Sequence, residues 1–223
     1  MTAANRRPLK TRGAGWAKAL AHGLAVAGLT PNVISVIGVG FAAAGAWCFM
    51  AAPGNGWLWL GAAFGIQLRL LANMLDGLVA VEEGKSSATG PLFNELPDRV
   101  EDALLLIAAG YAAGAAELGY GATILAFATA YIRASGGALG FAQDFVGPMA
   151  KQHRMFVLTV GALGSFFYPG PAISSFALPG PAPLVLALSI IVIGSALTCV
   201  IRTIRIARLL NAQASGSNKD TGS

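Results

Sequence analysis

Long apolar runs divided by short Gly-, Pro- or Asn-bearing breaks make up most of this chain. Six runs, near 31–52, 57–78, 97–117, 121–142, 155–170 and 182–204, each approach the roughly 20 residues that span a bilayer. Pro53-Gly54-Asn55-Gly56 and Pro169-Gly170-Pro171 are clear breaks, whereas only Leu118-Gly119-Tyr120 separates the third run from the fourth. Thr30 and Pro31 read as the N-cap and first residue of the first long helix. Ahead of it, Leu9 to Val26 mixes basic residues with Leu, Ala and Trp16, the pattern of a helix lying on a membrane surface. The predicted fold class is therefore all-α, an integral membrane bundle of six transmembrane helices over 29–211. A basic N-terminal segment with a juxtamembrane amphipathic helix, 1–28, precedes it, and the Ser/Gly/Asn-rich stretch 212–223 is expected to be a disordered tail.

Composition supports that class. The 223 residues are 55% hydrophobic and 11% charged, against about 25% charged in an ordinary soluble domain. The 29 glycines suit close helix packing in lipid. Cys48 and Cys199 lie in separate apolar runs and imply no disulfide framework. The net charge of +5 does not point to nucleic acid, because the basic residues sit at the ends of apolar runs. With the N-terminus inside, Lys85, Arg99, Lys151, Arg154, Arg205, Arg208 and Lys219 all fall on the inner side. The outer loops near 53–56, 118–120 and 171–181 hold no Lys or Arg. This positive-inside pattern places both termini in the cytoplasm, in an inner or plasma membrane.

Chemistry concentrates in one stretch. Seven of the ten acidic residues lie between Asp76 and Asp102, at the cytoplasmic junction of the second and third runs. Carboxylates that interrupt apolar runs are costly to place and usually mark a working site. Asn73 and Asp76 are three apart and share one helix face; Asn94 and Asp98 are four apart and share another. With the helices antiparallel, four oxygen-bearing side chains converge, the donor set that hard cations such as Mg²⁺ favour. Arg69 lies on the face of Asn73 and Asp76, and Glu101 on that of Asn94 and Asp98, at one common depth. They are expected to form a structural ion pair beneath the site, with Asp102 as a further partner. The competing expectation turns Glu101 toward the metal.

The spacing Asn73, Asp76, Gly77, Ala80, Val81, Gly90, Asn94, Asp98 resembles the signature of the CDP-alcohol phosphotransferase family, D-x-x-D-G-x-x-A-R followed by G-x-x-x-D-x-x-x-D. Leu29-Thr30-Pro31-Asn32 is similar to that family's opening of its first membrane helix. The resemblance implies transfer of a phosphatidyl group from CDP-diacylglycerol to an alcohol acceptor, with release of CMP and dependence on Mg²⁺ or Mn²⁺. It further implies Asn73, Asp76, Asn94 and Asp98 as ligands of two divalent metal ions and Asp98 as the base. Thr30, Asn32, Gly77, Ala80 and Gly90 would bind the nucleotide, and the chain would form a homodimer. Asn73 and Asn94 replace family aspartates, and Val81 replaces an Arg. A degenerate relative that binds lipid or nucleotide without turnover is the alternative these departures raise. Arg133 reads as a grip on a phosphorylated acceptor or as the partner of a carboxylate or carbonyl. Lys151 and Arg154 read as acceptor ligands or anionic-lipid contacts, and Arg202 as reaching the same pocket or snorkelling to lipid.

Overall fold

The computed structural model describes residues 14–82, 84, 89–142, 145–173 and 178–220. Among them are seven helices: α1 (Gly15–Val26), α2 (Pro31–Ala51), α3 (Leu58–Glu82), α4 (Gly90–Ala112), α5 (Ala116–Ala138), α6 (Lys151–Phe167) and α7 (Ala182–Asp220). By length and composition, α2, α3 and α7 are apolar enough to cross a membrane. Thr30 caps α2 as its sequence predicts, its Oγ1 accepting from the Val33 backbone N–H at 3.4 Å, with Pro31 opening the helix.

Several boundaries differ from those expected. The break between the third and fourth runs falls at 113–115, not at Leu118-Gly119-Tyr120. Gly114 takes φ 62°, a left-handed turn open to glycine, and the Ala115 N–H reaches back to the Gly110 carbonyl. Gly119 instead lies inside α5 as a packing residue. Helix α4 starts at Gly90 rather than near residue 97, so Pro97 lies inside it and not in its first turn. The helix continues across it with one donor fewer. Helix α7 runs on to Asp220, into the stretch expected as a disordered tail, of which 221–223 lie outside the described residues. The bundle is also not wholly helical, since β1 (Pro171–Ile173) pairs antiparallel with β2 (Leu178–Pro181) in the loop before α7.

Helix α2 packs against both α3 and α4, which touch each other less; α5 packs on α4 and α7, α6 on α3 and α7, and α1 on α3. The main core joins Phe49 and Trp59, edge to face at 6.2 Å between centroids, with Ile66, Leu105, Leu106, Leu158, Leu188 and Ile191. A second, smaller core seats Ala17, Ala21 and Ala25 of α1 on Leu75, Leu78 and Val79 of α3. Trp16 and Leu20 face away from it. Two glycine pairs bring helix backbones against each other. A Cβ on Gly65 would lie 2.7 Å from the Gly45 Cα, and one on Gly110 would lie 2.7 Å from the Gly119 Cα.

Those contacts predict opposite effects for one chemical change. Gly65→Ala should lower the melting temperature in detergent, because backbone blocks the new methyl. Gly40→Ala, which meets nothing within 4 Å, should raise stability by about 0.5–1 kcal/mol through helix propensity. A higher melting temperature for Gly65→Ala would refute the close packing of α2 on α3.

Candidate active site

Helix periodicity aims one polar face of α3 at one polar face of α4. On α3, Arg69, Asn73 and Asp76 recur at helical spacing; on α4, Asp98, Glu101 and Asp102 do the same. The two faces meet in antiparallel order. Arg69 donates through Nε to Glu101 Oε2 at 2.6 Å and through Nη2 to Asp102 Oδ1 at 2.7 Å. Higher on the same face, the Asn73 amide Nδ2 donates to Asp98 Oδ1 at 3.0 Å and to Glu101 Oε2 at 2.9 Å. Arg69, Glu101 and Asp102 have side chains wholly out of solvent. The structure thus brings together Arg69 and Glu101 and includes Asp102 as a full second partner.

The cluster extends to the other helices. Arg154 of α6 donates to Asp102 Oδ2 at 2.8 Å, to the Met149 carbonyl at 3.2 Å and to Thr129 Oγ1 at 3.4 Å. Arg202 of α7 donates to the carbonyls of Thr129 at 2.7 Å and Val146 at 2.9 Å. Arg154 is 1% exposed and Arg202 4%. The guanidiniums of both point inward and join helices. Arg133 pairs with Glu95 of α4 and lies over the Phe145 ring, 5.4 Å from its centroid. That is the carboxylate pairing of its two expected roles. Arg99 lies 3.8 Å from Asp98 Oδ2 and 4.0 Å from Asp102 Oδ2. Lys151, at the start of α6, makes an ion pair with Asp98 Oδ1.

Asp76 sits at the α2 side. Ser35 of α2 donates its hydroxyl to Asp76 Oδ2 at 2.6 Å, and Asp76 is within electrostatic reach of Asp98 and Lys151. One turn along α2, Gly38 leaves room for Glu101: a Cβ there would come within 2.7 Å of Glu101 Oε1 and 3.7 Å of Asn73 Oδ1. Sequence reasoning missed both α2 residues. The signal was available, since Asn32, Ser35 and Gly38 recur every three residues in an otherwise apolar helix. Gly77 and Ala80 continue the face of Asn73 and Asp76. Asn32 Nδ2 lies 3.5 Å from Thr89 Oγ1, which brings the start of α2 to the rim beside Gly90. Thr30 lies on that rim as the helix cap. Asn94 lies on α4, and its side chain is outside the described residues, as are Glu83 and Lys85.

The donor chemistry suits a hard cation in one part of the site. Asp76 Oδ1 and Glu101 Oε1 are buried carboxylate oxygens with no hydrogen-bond partner among the described residues. Orphaned oxygens of this kind are what a divalent ion satisfies. At Asp98 the situation differs, because Oδ1 already accepts from Asn73 and Lys151. Among the described residues no three of His, Cys, Asp and Glu gather as a metal centre by themselves, so amide or phosphate oxygens would have to complete any shell.

No protein-family model matches the chain, and no curated protein matches it. Solved structures do share its fold. Three are of Mycobacterium tuberculosis phosphatidylinositol phosphate synthase (PgsA1). The structure with CDP-DAG bound is 24% identical, the match covering 86% of this chain and 94% of that one at a TM-score of 0.71. The complex with manganese and citrate is 23% identical over 85% and 88% of the two chains, at 0.70. The apo form is 23% identical over 83% and 93%, at 0.65.

Asp102 carries the heaviest structural demand in this site. Asp102→Asn would leave Arg69 and Arg154 buried against a neutral amide, and stability should fall by about 3–5 kcal/mol. Thermal unfolding in detergent measures it; a melting temperature within a degree or two of wild type would show that the cluster does not hold the bundle together.

Proposed function

We propose that the chain is a CDP-alcohol phosphotransferase, an integral membrane enzyme that transfers the phosphatidyl group of CDP-diacylglycerol to an alcohol and releases CMP. The observation that carries this reading is the meeting of Asn73, Asp76 and Asp98, at the spacing of the family signature, on the facing helices α3 and α4. The fold shared with a synthase solved with CDP-DAG supports it. In this reading α2 to α7 are six membrane spans, α1 lies along the cytoplasmic surface, and both termini and the site face the cytoplasm. The membrane is an inner or plasma membrane, and the chain is a homodimer.

The residues divide the work by position. In this reading Asp76 and Asn73 meet the diphosphate, with Asn94 the further ligand that the family signature implies, while Gly77, Ala80 and Gly90 leave room for the nucleotide beside Thr30 and Asn32. A divalent ion bound there, Mg²⁺ or Mn²⁺, would neutralise charge on the diphosphate. Asp98 takes the proton of the attacking hydroxyl. Its Oδ2 is suited to this, because Oδ1 is already engaged by Asn73 and Lys151. The alcohol oxygen forms its bond to the lipid-linked phosphorus as the bond to the CMP oxygen breaks, and CMP leaves with that electron pair. In this reading a charged acceptor draws Arg133 from its resting partner Glu95, while Lys151 stays with Asp98.

A second reading has one observation in its favour. The engagement of Asp98 by Lys151 suits a relative that binds CDP-lipid without turning it over. One experiment decides between them. Purified protein with CDP-diacylglycerol, Mg²⁺ or Mn²⁺ and a panel of alcohols, among them inositol phosphate, glycerol phosphate and serine, should release CMP. Asp98→Asn should remove at least about a hundredfold of that rate while the protein stays folded. No CMP with any acceptor would favour the binding-only reading, and activity of Asp98→Asn within tenfold of wild type would remove Asp98 from the base role.

A further inference from the structure

We propose that Lys151 is a resident cation of this site, occupying the Asp98 end, so that the chain takes one divalent ion, at the Asp76 end, where the family pattern implies two. The assignment rests on the transferase reading above for the identity of the diphosphate ligand. Three observations carry it.

The first is occupancy. The Lys151 ammonium and the Asn73 amide both donate to Asp98 Oδ1, so nitrogen donors fill the place where an ion bound by this oxygen would sit. The second is the distribution of unsatisfied oxygens. Those without partners, Asp76 Oδ1 and Glu101 Oε1, belong to residues that are 4% and 0% exposed and that face Ser35 and Gly38 on α2. The demand for a cation is therefore on the α2 side of the site.

The third is charge. Asp76, Asp98, Glu101 and Asp102 bring four negative charges. Arg69, Arg99, Lys151 and Arg154 bring four positive ones and contact that same set. The Arg133–Glu95 pair is neutral by itself, and Arg202 beyond Arg154 adds one further positive charge. Into this cluster, already one positive charge over balance, one divalent ion and a diphosphate carrying about two negative charges enter without net change. A second ion would leave about two uncompensated positive charges in a low-dielectric setting, where such an excess is costly. Asn73 fits the same scheme, because an aspartate there would bring another carboxylate against Asp98 and Glu101, and its amide instead donates to both.

Manganese binding tests this without recourse to turnover. The full chain in mild detergent, with saturating CDP, is titrated with Mn²⁺ while electron paramagnetic resonance follows the free aqueous ion. Wild type should bind one ion per chain. Lys151→Met should bind a second, or bind the first roughly tenfold or more tightly, because a unit positive charge has been removed nearby. Lys151→Arg, which keeps the charge, should match wild type. Two ions per wild-type chain, or none, would overturn the proposal whatever the variants do. A folded Lys151→Met with wild-type stoichiometry and affinity would overturn it as well. The outcome is separable from the functional reading. One ion bound with no CMP released under any condition sinks the transferase and leaves this assignment standing, and two ions with CMP released does the reverse.

Discussion

The bundle depends on where the charge of Asp102 goes. Its two oxygens are taken by guanidiniums from different helices, Arg69 on α3 at 2.7 Å and Arg154 on α6 at 2.8 Å, with all three groups out of solvent. A lone charge at this depth is expensive, and a buried pair compensates for desolvation only when its hydrogen bonds are well formed. Here the remaining donors find carbonyls and hydroxyls. Arg154 reaches Thr129 of α5, and Arg202 of α7 reaches the carbonyl of the same residue. One polar chain thus links α3, α4, α6, α5 and α7. In apolar surroundings, where greasy surfaces meet greasy surfaces with little preference, such a chain supplies the specificity of register that hydrophobic packing does not.

The small residues make this arrangement possible. Gly45 against Gly65 draws α2 onto α3, and Gly110 against Gly119 draws α4 onto α5. Gly38 serves a more local end, leaving space on α2 for the Glu101 carboxylate. Above this rigid floor lies the polar layer of Asn73, Asp76, Asp98 and Lys151. With the ionic floor set apart from this layer, a change of partner among the upper residues leaves what lies beneath intact.

Much of this was legible in the sequence, for reasons that particular residues make clear. Apolar length fixes the number of long helices, and a period of 3.6 residues places Arg69 with Asn73 and Asp76, and Glu101 with Asp98. Face and depth together then bring Arg69 to Glu101. Partners further apart along the chain were not legible. Nothing in the local pattern around Arg154 says that it turns toward Asp102, fifty-two residues away in sequence, because periodicity gives a residue its face and not the helix it will meet. The misplaced break has a similar cause. Gly114 and Gly119 are alike to a sequence reading, yet one turns the chain at φ 62° and the other lies in a helix against Gly110. The short β pairing before α7 escaped because Pro-rich loops carry no period.

One hydroxyl has a consequence for how Asp76 behaves. Ser35 Oγ lies 2.6 Å from Asp76 Oδ2 and also 3.1 Å from the carbonyl of Pro31, one turn back on its own helix. It has a single proton, so it serves one acceptor at a time. When Asp76 takes another partner, rotation about one side-chain bond hands that proton to Pro31 and strands no donor in the interior. The same rotation in reverse receives Asp76 when the partner leaves. Ser35 therefore acts as a swivel, holding the carboxylate in place at rest and releasing it without the penalty of a buried, unsatisfied O–H.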